Sequence, residues 1–321
     1  MTAAAAGPRW PTLVLGLSLG PVVVLLLSLL APWWWIGELA VHWAGHAMVL
    51  AIVAAAVLAR VRSLWSMAIM VLTVVAGLPL IPAIHRPRAP APAVGPTVRV
   101  ALANLYFGNP APSRSEALAR VLATDPEIVG LAEAVAREDR RAFDLTRWPY
   151  QLWQGKPGDS RNNDLALLST FPILAHAVHD LDSEPYLSAT LDVHGRHLHV
   201  LVLHAGSPEN ARQSRHRQAQ LIRLAATAEA LVAADPAPVL ALGDFNCTTL
   251  SPVWAPLTAA DLLTPAGEPA TWERHLGPAG ITIDHILGRD LRIAPPTAIS
   301  LPGSDHYGLS TRIQFLTESV D

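Results

Sequence analysis

Leu240-Ala241-Leu242-Gly243-Asp244-Phe245-Asn246-Cys247 is an apolar run that ends in a carboxylate and an amide. A run of this kind predicts a buried strand that delivers its last side chains to a sheet rim, with Gly243 letting a ligand approach the backbone closely. On an extended chain Asp244 and Asn246, two apart, point to the same side. The carboxylate there can take a proton from water, while the amide holds that water or an oxygen of the group it attacks.

Working outward, other segments end in the same manner. Val98–Asn104 alternates and closes on Asn104, and Glu127–Glu133 closes on Glu133. Leu187–Val193 and Arg196–His204 read as a hairpin around His194-Gly195, whose second arm ends in His204. Leu165–Ser169 is an apolar run entered through Asn162-Asn163-Asp164, and Ile281–Leu287 carries Asp284. Leu309–Phe315 follows the turn Ser304-Asp305-His306. Helical periodicity appears over Ser115–Ala123 and Asn210–Ala234, both in crossover positions. The expectation is an α+β domain: a four-layer α/β/β/α sandwich of two mixed sheets. No GxGxxG after a strand, P-loop, HExxH or GxSxG is present, and no internal repeat.

Oxygen and imidazole groups at so many strand ends suit a hard divalent cation, Mg²⁺ first and Mn²⁺ second. Residues 98–321 hold 25 acidic residues against 18 Lys and Arg, a formal charge of −7. That balance disfavours nucleic acid, whose backbone is gripped by exchanging counterions for Lys and Arg. Cys247 is the sole cysteine, so no intrachain disulfide exists; without a basic neighbour it reads as packing. No protein partner is inferable.

Residues 1–84 have another texture. Pro11–Leu30, Leu39–Ala59 and Leu64–Ile84 are apolar, each long enough to cross a hydrocarbon core of about 30 Å, which predicts three transmembrane helices. Six of the ten tryptophans (10, 33, 34, 35, 43 and 65) fall at the ends of these runs, where an indole suits the headgroup level. Arg60 and Arg62 mark the second loop as cytoplasmic, whereas residues 31–38 carry no Lys or Arg. Three spans then leave the remainder extracytoplasmic in a multi-pass cell-membrane protein. Glu38, His42 and His46 share one helical face, either as a headgroup or proton site or as wet polar tips at an interfacial turn. Residues 85–97 form a Pro/Ala linker that reaches at most about 40 Å at ~3.1 Å per residue, so the domain at 98–321 is held close to the bilayer.

Taken in order, the Asn of VALANLY, the Glu of IVGLAEA, the His of LVLHAGSP, GDFN, the Asp of TIDHIL, and GSDH resemble the endonuclease/exonuclease/phosphatase (DNase I-like) superfamily over about residues 98–315. With the apolar N-terminal region, the whole chain is similar to the membrane-anchored branch that contains the VanJ-type teicoplanin-resistance proteins. The resemblance implies that Glu133 is the main metal carboxylate, with Asn104 and Asp305 completing or tuning that site. It further implies that Asp244 orients or deprotonates the attacking water and that Asn246 holds the water or a non-bridging oxygen. His306, fixed by Asp284, would stabilise charge on phosphoryl oxygens. His204 would contact the phosphate or aid the leaving group. Asn163 and Arg215 are further candidates for phosphate contact, Arg215 from the cluster Arg212, Arg215, Arg217 and Arg223. His285 should face the other side of its strand and is read as structural.

The expected function is a Mg²⁺-dependent phosphohydrolase acting on a lipid-linked phosphate or pyrophosphate of polyprenyl type at the outer membrane face, linked to cell-wall antibiotic resistance. An extracellular nuclease or sphingomyelinase-like phosphodiesterase is the enzymatic rival. A membrane binding module without turnover is the non-enzymatic one.

Overall fold

A computed structural model of the chain describes residues 10–60, 64–77, 93–135, 139–144, 146–154, 165–180 and 185–316. The chain divides into two units, one of Met1–His85 with Thr249–Pro252 and one of Arg86–Thr248 with Val253–Asp321.

The first unit is helical: α1 (Trp10–Ser28), α2 (Trp35–Val41), α3 (Ala44–Arg60) and α4 (Leu64–Gly77). Its interior is built largely from small residues, among them Ala44, Ala47, Ala51, Ala55 and Ala76, with Leu25 and Leu58 between them. Gly37 brings α2 onto the backbone of α1, because a Cβ there would lie 2.6 Å from the Leu27 carbonyl oxygen. The three expected transmembrane helices are not seen as such. Among the described residues no single helix is long and apolar enough to cross a membrane. The expected span at Leu39–Ala59 is broken, since α2 and α3 meet at 66° and only the bent pair together has the length and composition. Hydropathy counts apolar residues without asking whether the backbone runs on through them. The 14 residues of α4 rise only about 21 Å, and residues 78–84 of that expected span lie outside the described residues. So does Arg62, one of the two arginines of the charge argument. Glu38 and His42 are not wet tips: both are buried, with His42 Nε2 3.2 Å from Glu38 Oε1.

In the second unit β1 (Ala93–Asn104) starts earlier than expected and takes in residues 93–97 of the Pro/Ala linker; residues 85–92 lie outside the described residues. Thr97 is followed at once by paired backbone, Val98 lying opposite Ile313 of the last strand, so composition alone misplaced the boundary. After β1 come α5 (Ala111–Leu122), β2 (Ile128–Ala132), β3 (Tyr150–Gln154), β4 (Leu165–Ser169), β5 (Ile173–His179), β6 (Tyr186–Val193) and β7 (Arg196–His204). There follow α6 (Ala211–Ala234), β8 (Val239–Asp244), the short α7 (Ala255–Ala259), β9 (Asp284–Arg289), β10 (Leu291–Ile293), β11 (Thr297–Ser300) and β12 (Tyr307–Leu316).

These strands form two mixed sheets. One has the order β10-β12-β1-β2-β4-β3, with β11 also on β12; the other is β5-β6-β7-β8-β9. Each sheet holds one parallel pair at its centre, β1 with β2 and β7 with β8, and each pair is joined by a crossover helix, α5 or α6. The inner faces meet through Val100, Leu102, Leu165 and Leu167 on one side and Val200, Val202, Leu240 and Leu242 on the other. The alternate residues face the helices: Ala101, Val129 and Leu131 pack under α5, and Leu201, Leu203 and Ala241 pack under α6. The strand period of two thus fills both faces of both sheets, giving four layers, helix, sheet, sheet, helix.

Gly243 has a different use from the one expected. A Cβ there would lie 2.0 Å from the Leu203 carbonyl oxygen on β7, so the neighbouring strand, not a ligand, occupies the space. Gly243→Ala is expected to cost about 3 kcal/mol through displacement of β7 from β8. A thermal melt of the full chain checks this, with a fall of roughly 6–12 °C for a domain of this size. An unchanged melt would show that the strands accommodate the methyl group.

Candidate active site

Parallel strands end on the same rim, so each central pair delivers two side chains there. In the first sheet these are Asn104, the last residue of β1, and Glu133, one residue past β2. In the second they are His204 and Asp244, which lie directly opposite each other at the ends of β7 and β8. Asp284 at the start of antiparallel β9 is in register with Asp244, and His306 precedes β12. Seven of the sequence candidates thus converge from both sheets, Asp305 coming with His306.

Asn104 is fully buried, and its Nδ2 donates to both Glu133 Oε1 and Asp244 Oδ2 at 3.0 Å. Its Oδ1 accepts from Tyr106 N at 3.0 Å. Two carboxylates can only accept, which fixes this orientation of the amide; Asn104 therefore tethers the carboxylates to each other. Glu133 Oε2 also accepts from Phe107 N at 2.8 Å. His204 Nε2 lies 3.7 Å from Glu133 Oε1 and 3.8 Å from Asp244 Oδ2, while its buried Nδ1 has no hydrogen-bond partner among the described residues.

On the other side His306 Nδ1 is 2.8 Å from Asp284 Oδ2, and its Nε2 faces Asp244 Oδ2 at 3.8 Å and Asp305 Oδ1 at 3.9 Å. Burial pulls the imidazole's pKa down, but Asp284, Asp244 and Asp305 outweigh it and raise it to about 10. Burial and the charge of Asp284 push Asp244 up to about 6, against the pull of His306 and His204. Asp305 Oδ2 accepts from Trp272 Nε1 at 3.1 Å.

Asn246 is not on an extended strand with Asp244. Its φ is +50°, and its backbone N–H donates to Asp244 Oδ1 at 2.8 Å, a turn closed by the carboxylate itself. Its Nδ2 donates to Ala205 O at 2.7 Å. Glu133 and Tyr106 are likewise left-handed, with φ of +51° and +54°. Three such non-glycine residues on one rim are costly and persist only where the surroundings hold them.

Two buried arginines supply that hold: Arg114, which the sequence did not mark, and Arg217, marked only as one of an arginine cluster. Arg217, fully buried on α6, donates through Nη1 to Asn246 O. Arg114 on α5 donates to Glu133 O at 2.6 Å and Tyr106 O at 2.9 Å, and forms a two-pronged pair with Asp139 at 2.7 Å per prong. Arg217 lies in a readable stripe with Ser214, Leu221 and Leu224 at helical spacing. By contrast Arg215 is exposed, and Asn163 lies outside the described residues. Breaking the buried pair with Arg114→Met is expected to cost about 3–5 kcal/mol, and Arg114→Met/Asp139→Leu to regain part of it. Denaturant titration of the three proteins checks this; a double variant no more stable than the single one would refute a paired role. His285 faces away as expected, bonded to Glu268 Oε2 at 3.1 Å and Cys247 O at 3.0 Å.

The donor set fits a hard cation. Four carboxylates (Glu133, Asp244, Asp284, Asp305) face two imidazoles, and Asp284 Oδ1 and Asp305 Oδ1 are buried oxygens without a hydrogen-bond partner among the described residues. Ligand atoms of Asp244, Asp284 and His306 lie within 4.8 Å of one another. His306 spends Nδ1 on Asp284 and leaves Nε2 facing Asp244 and Asp305. Carboxylate oxygens, with Glu133 and Asp244 tied together by Asn104, are the better cation ligands.

A buried rim of carboxylates, amide and imidazole on paired mixed sheets suits metal-assisted hydrolysis. The chain belongs to the endonuclease/exonuclease/phosphatase family, whose sequence profile matches residues 101–306. Members of that family are mostly dependent on a divalent metal. A search of curated proteins finds no significant match. Among solved structures, an endonuclease/exonuclease/phosphatase from Beutenbergia cavernae is similar with a TM-score of 0.57 and 16% identity, covering 70% of this chain and 73% of its own. The human Nocturnin catalytic domain with bound sulfate gives 0.54 and 18%, covering 72% and 100%. Humanised D. rerio TDP2 gives 0.54 and 18%, covering 68% and 99%. At these identities the likeness is one of fold.

Proposed function

We propose that the protein is a Mg²⁺-dependent phosphohydrolase, with Mn²⁺ as a substitute, acting on a lipid-linked phosphate or pyrophosphate of polyprenyl type. The observation that carries the reading is the tethering of Glu133 and Asp244 by Asn104 within reach of the Asp284-held His306. A divalent ion bound by Glu133 and its neighbours would supply charge neutralisation for the phosphoryl oxygens. Asp244, a carboxylate whose pKa has been brought up to about 6, accepts a proton from the attacking water. His306 donates Nε2–H to a phosphoryl oxygen, and Asp284 keeps that ring charged and oriented. His204 Nε2, next to both carboxylates, faces the phosphate or the leaving oxygen.

The lipid part of the reading draws on the helical unit. Its exposed side chains are overwhelmingly apolar: Leu17, Leu19, Val49, Leu50, Val53, Leu64, Met67, Val71, Val74 and Val75, with Trp33, Trp34 and Trp65. Water penalises such a surface and hydrocarbon accepts it. We place this unit in the membrane and the catalytic unit on the extracytoplasmic side, as in the VanJ-type branch and its link to cell-envelope antibiotic resistance. The experiment is phosphate release from undecaprenyl pyrophosphate by the full chain in detergent, with Mg²⁺ and then with EDTA. Release that EDTA abolishes and Mg²⁺ restores is expected; none with Mg²⁺, alongside cleavage of plasmid DNA or sphingomyelin, would replace this reading with a phosphodiesterase.

A further inference from the structure

The turn Tyr106–Asn109 is held more tightly than a surface turn needs. Tyr106 N donates to Asn104 Oδ1 at 3.0 Å, and Phe107 N to Glu133 Oε2 at 2.8 Å. Tyr106 O accepts from Arg114 Nη1 and from Asn109 N, both at 2.9 Å. Asn109 Nδ2 donates to Leu105 O at 3.2 Å and Pro302 O at 2.9 Å. Gly108 leaves room for the Tyr106 ring to fold over the turn, since a Cβ there would lie 2.8 Å from that ring. All this order presents one apolar group to solvent: the Phe107 side chain, on a residue 56% exposed, its ring centroid 5.2 Å from that of Tyr106.

A second rim element has the same character. Arg274 N donates to Asp305 O at 2.8 Å, fixing the segment 274–279 beside the other end of the site, and Leu276 in it is 47% exposed. Fixing an aromatic in water gains nothing for the fold, whereas a preorganised ring at a site mouth lowers the cost of binding an apolar group.

We propose that Phe107, assisted by Leu276, receives the first hydrocarbon units of the substrate alcohol as its phosphate lies between Glu133 and His306. Phe107 is then a specificity-determining residue that separates long-chain from short-chain esters. The inference rests on the phosphohydrolase reading and names the group that recognises the lipid.

The test compares farnesyl pyrophosphate with dimethylallyl pyrophosphate, which share the reacting group and differ in chain length. Initial rates of phosphate release are measured for the full chain in detergent as wild type, Phe107→Ala, Phe107→Leu and Leu276→Ala. For Phe107→Ala the ratio of kcat/KM, farnesyl over dimethylallyl, is expected to fall about tenfold, mostly through KM, with Phe107→Leu restoring most of it and Leu276→Ala giving a smaller fall. A ratio unchanged in Phe107→Ala, or changed only through equal loss on both substrates, overturns this inference and leaves the phosphohydrolase reading standing. No release from either by wild type that does act on undecaprenyl pyrophosphate overturns this inference alone, and no release from any of the three overturns both.

Discussion

Alanine in place of Asp244 is expected to lower kcat for phosphate release by about 10²–10⁴-fold, the range for loss of a positioned general base. The melting temperature is not expected to fall with it. Asp244 is 1% exposed, sits in register with Asp284, and has its pKa raised by that burial and that charge, so the fold already disfavours its ionised form. Function and stability pull in opposite directions at this residue, as they do where a site stores strain. The measurement is kcat together with a thermal melt of the same preparation. A variant within tenfold of wild type would remove Asp244 from the chemistry.

Glu133→Gln should weaken the site by a different route. The amide can still accept one of the two hydrogen bonds from Asn104 Nδ2 and Phe107 N, so the rim keeps its shape while losing a charge. The expected result is a fall of at least about 100-fold in kcat/KM at low Mg²⁺, several kcal/mol of lost charge stabilisation being at stake. Part of it should return at high Mg²⁺. An Mg²⁺ titration of activity decides the matter, since an unchanged half-saturation concentration would take Glu133 out of metal binding.

The strand ends were legible because residue type and position agreed. Asn104, Glu133, His204 and Asp244 each follow an apolar run, and a parallel pair has no choice but to put both of its ends on one rim. His194-Gly195 was readable as a hairpin for a related reason: both residues have positive φ, which this pair tolerates. Strand β5 escaped because most of it is exposed at a sheet edge, so ILAHAVH carries no alternation of buried and open positions. Helix α5 begins at Ala111, four residues before the expected Ser115, because the first turn of a helix needs no proline N–H and so accepts Pro112. The bend at His42-Trp43 was hidden inside an unbroken apolar run, as hydropathy carries no information about direction. Arg114 was missed, and the structural role of Arg217 within its cluster with it, because buried guanidinium groups have the same letter as solvated ones. Only the long-range partners, Asp139 and the Asn246 carbonyl, tell them apart.

The last strand of the catalytic unit lies beside its first, β12 between β1 and β10, with His306 at its entrance. During synthesis β1 emerges more than two hundred residues before its neighbour. For that interval its open edge is a template for stray pairing, and the growing polypeptide has no imidazole at position 306 to offer. A nascent chain that ends before His306 therefore lacks both the strand that covers this edge of β1 and the imidazole at the rim.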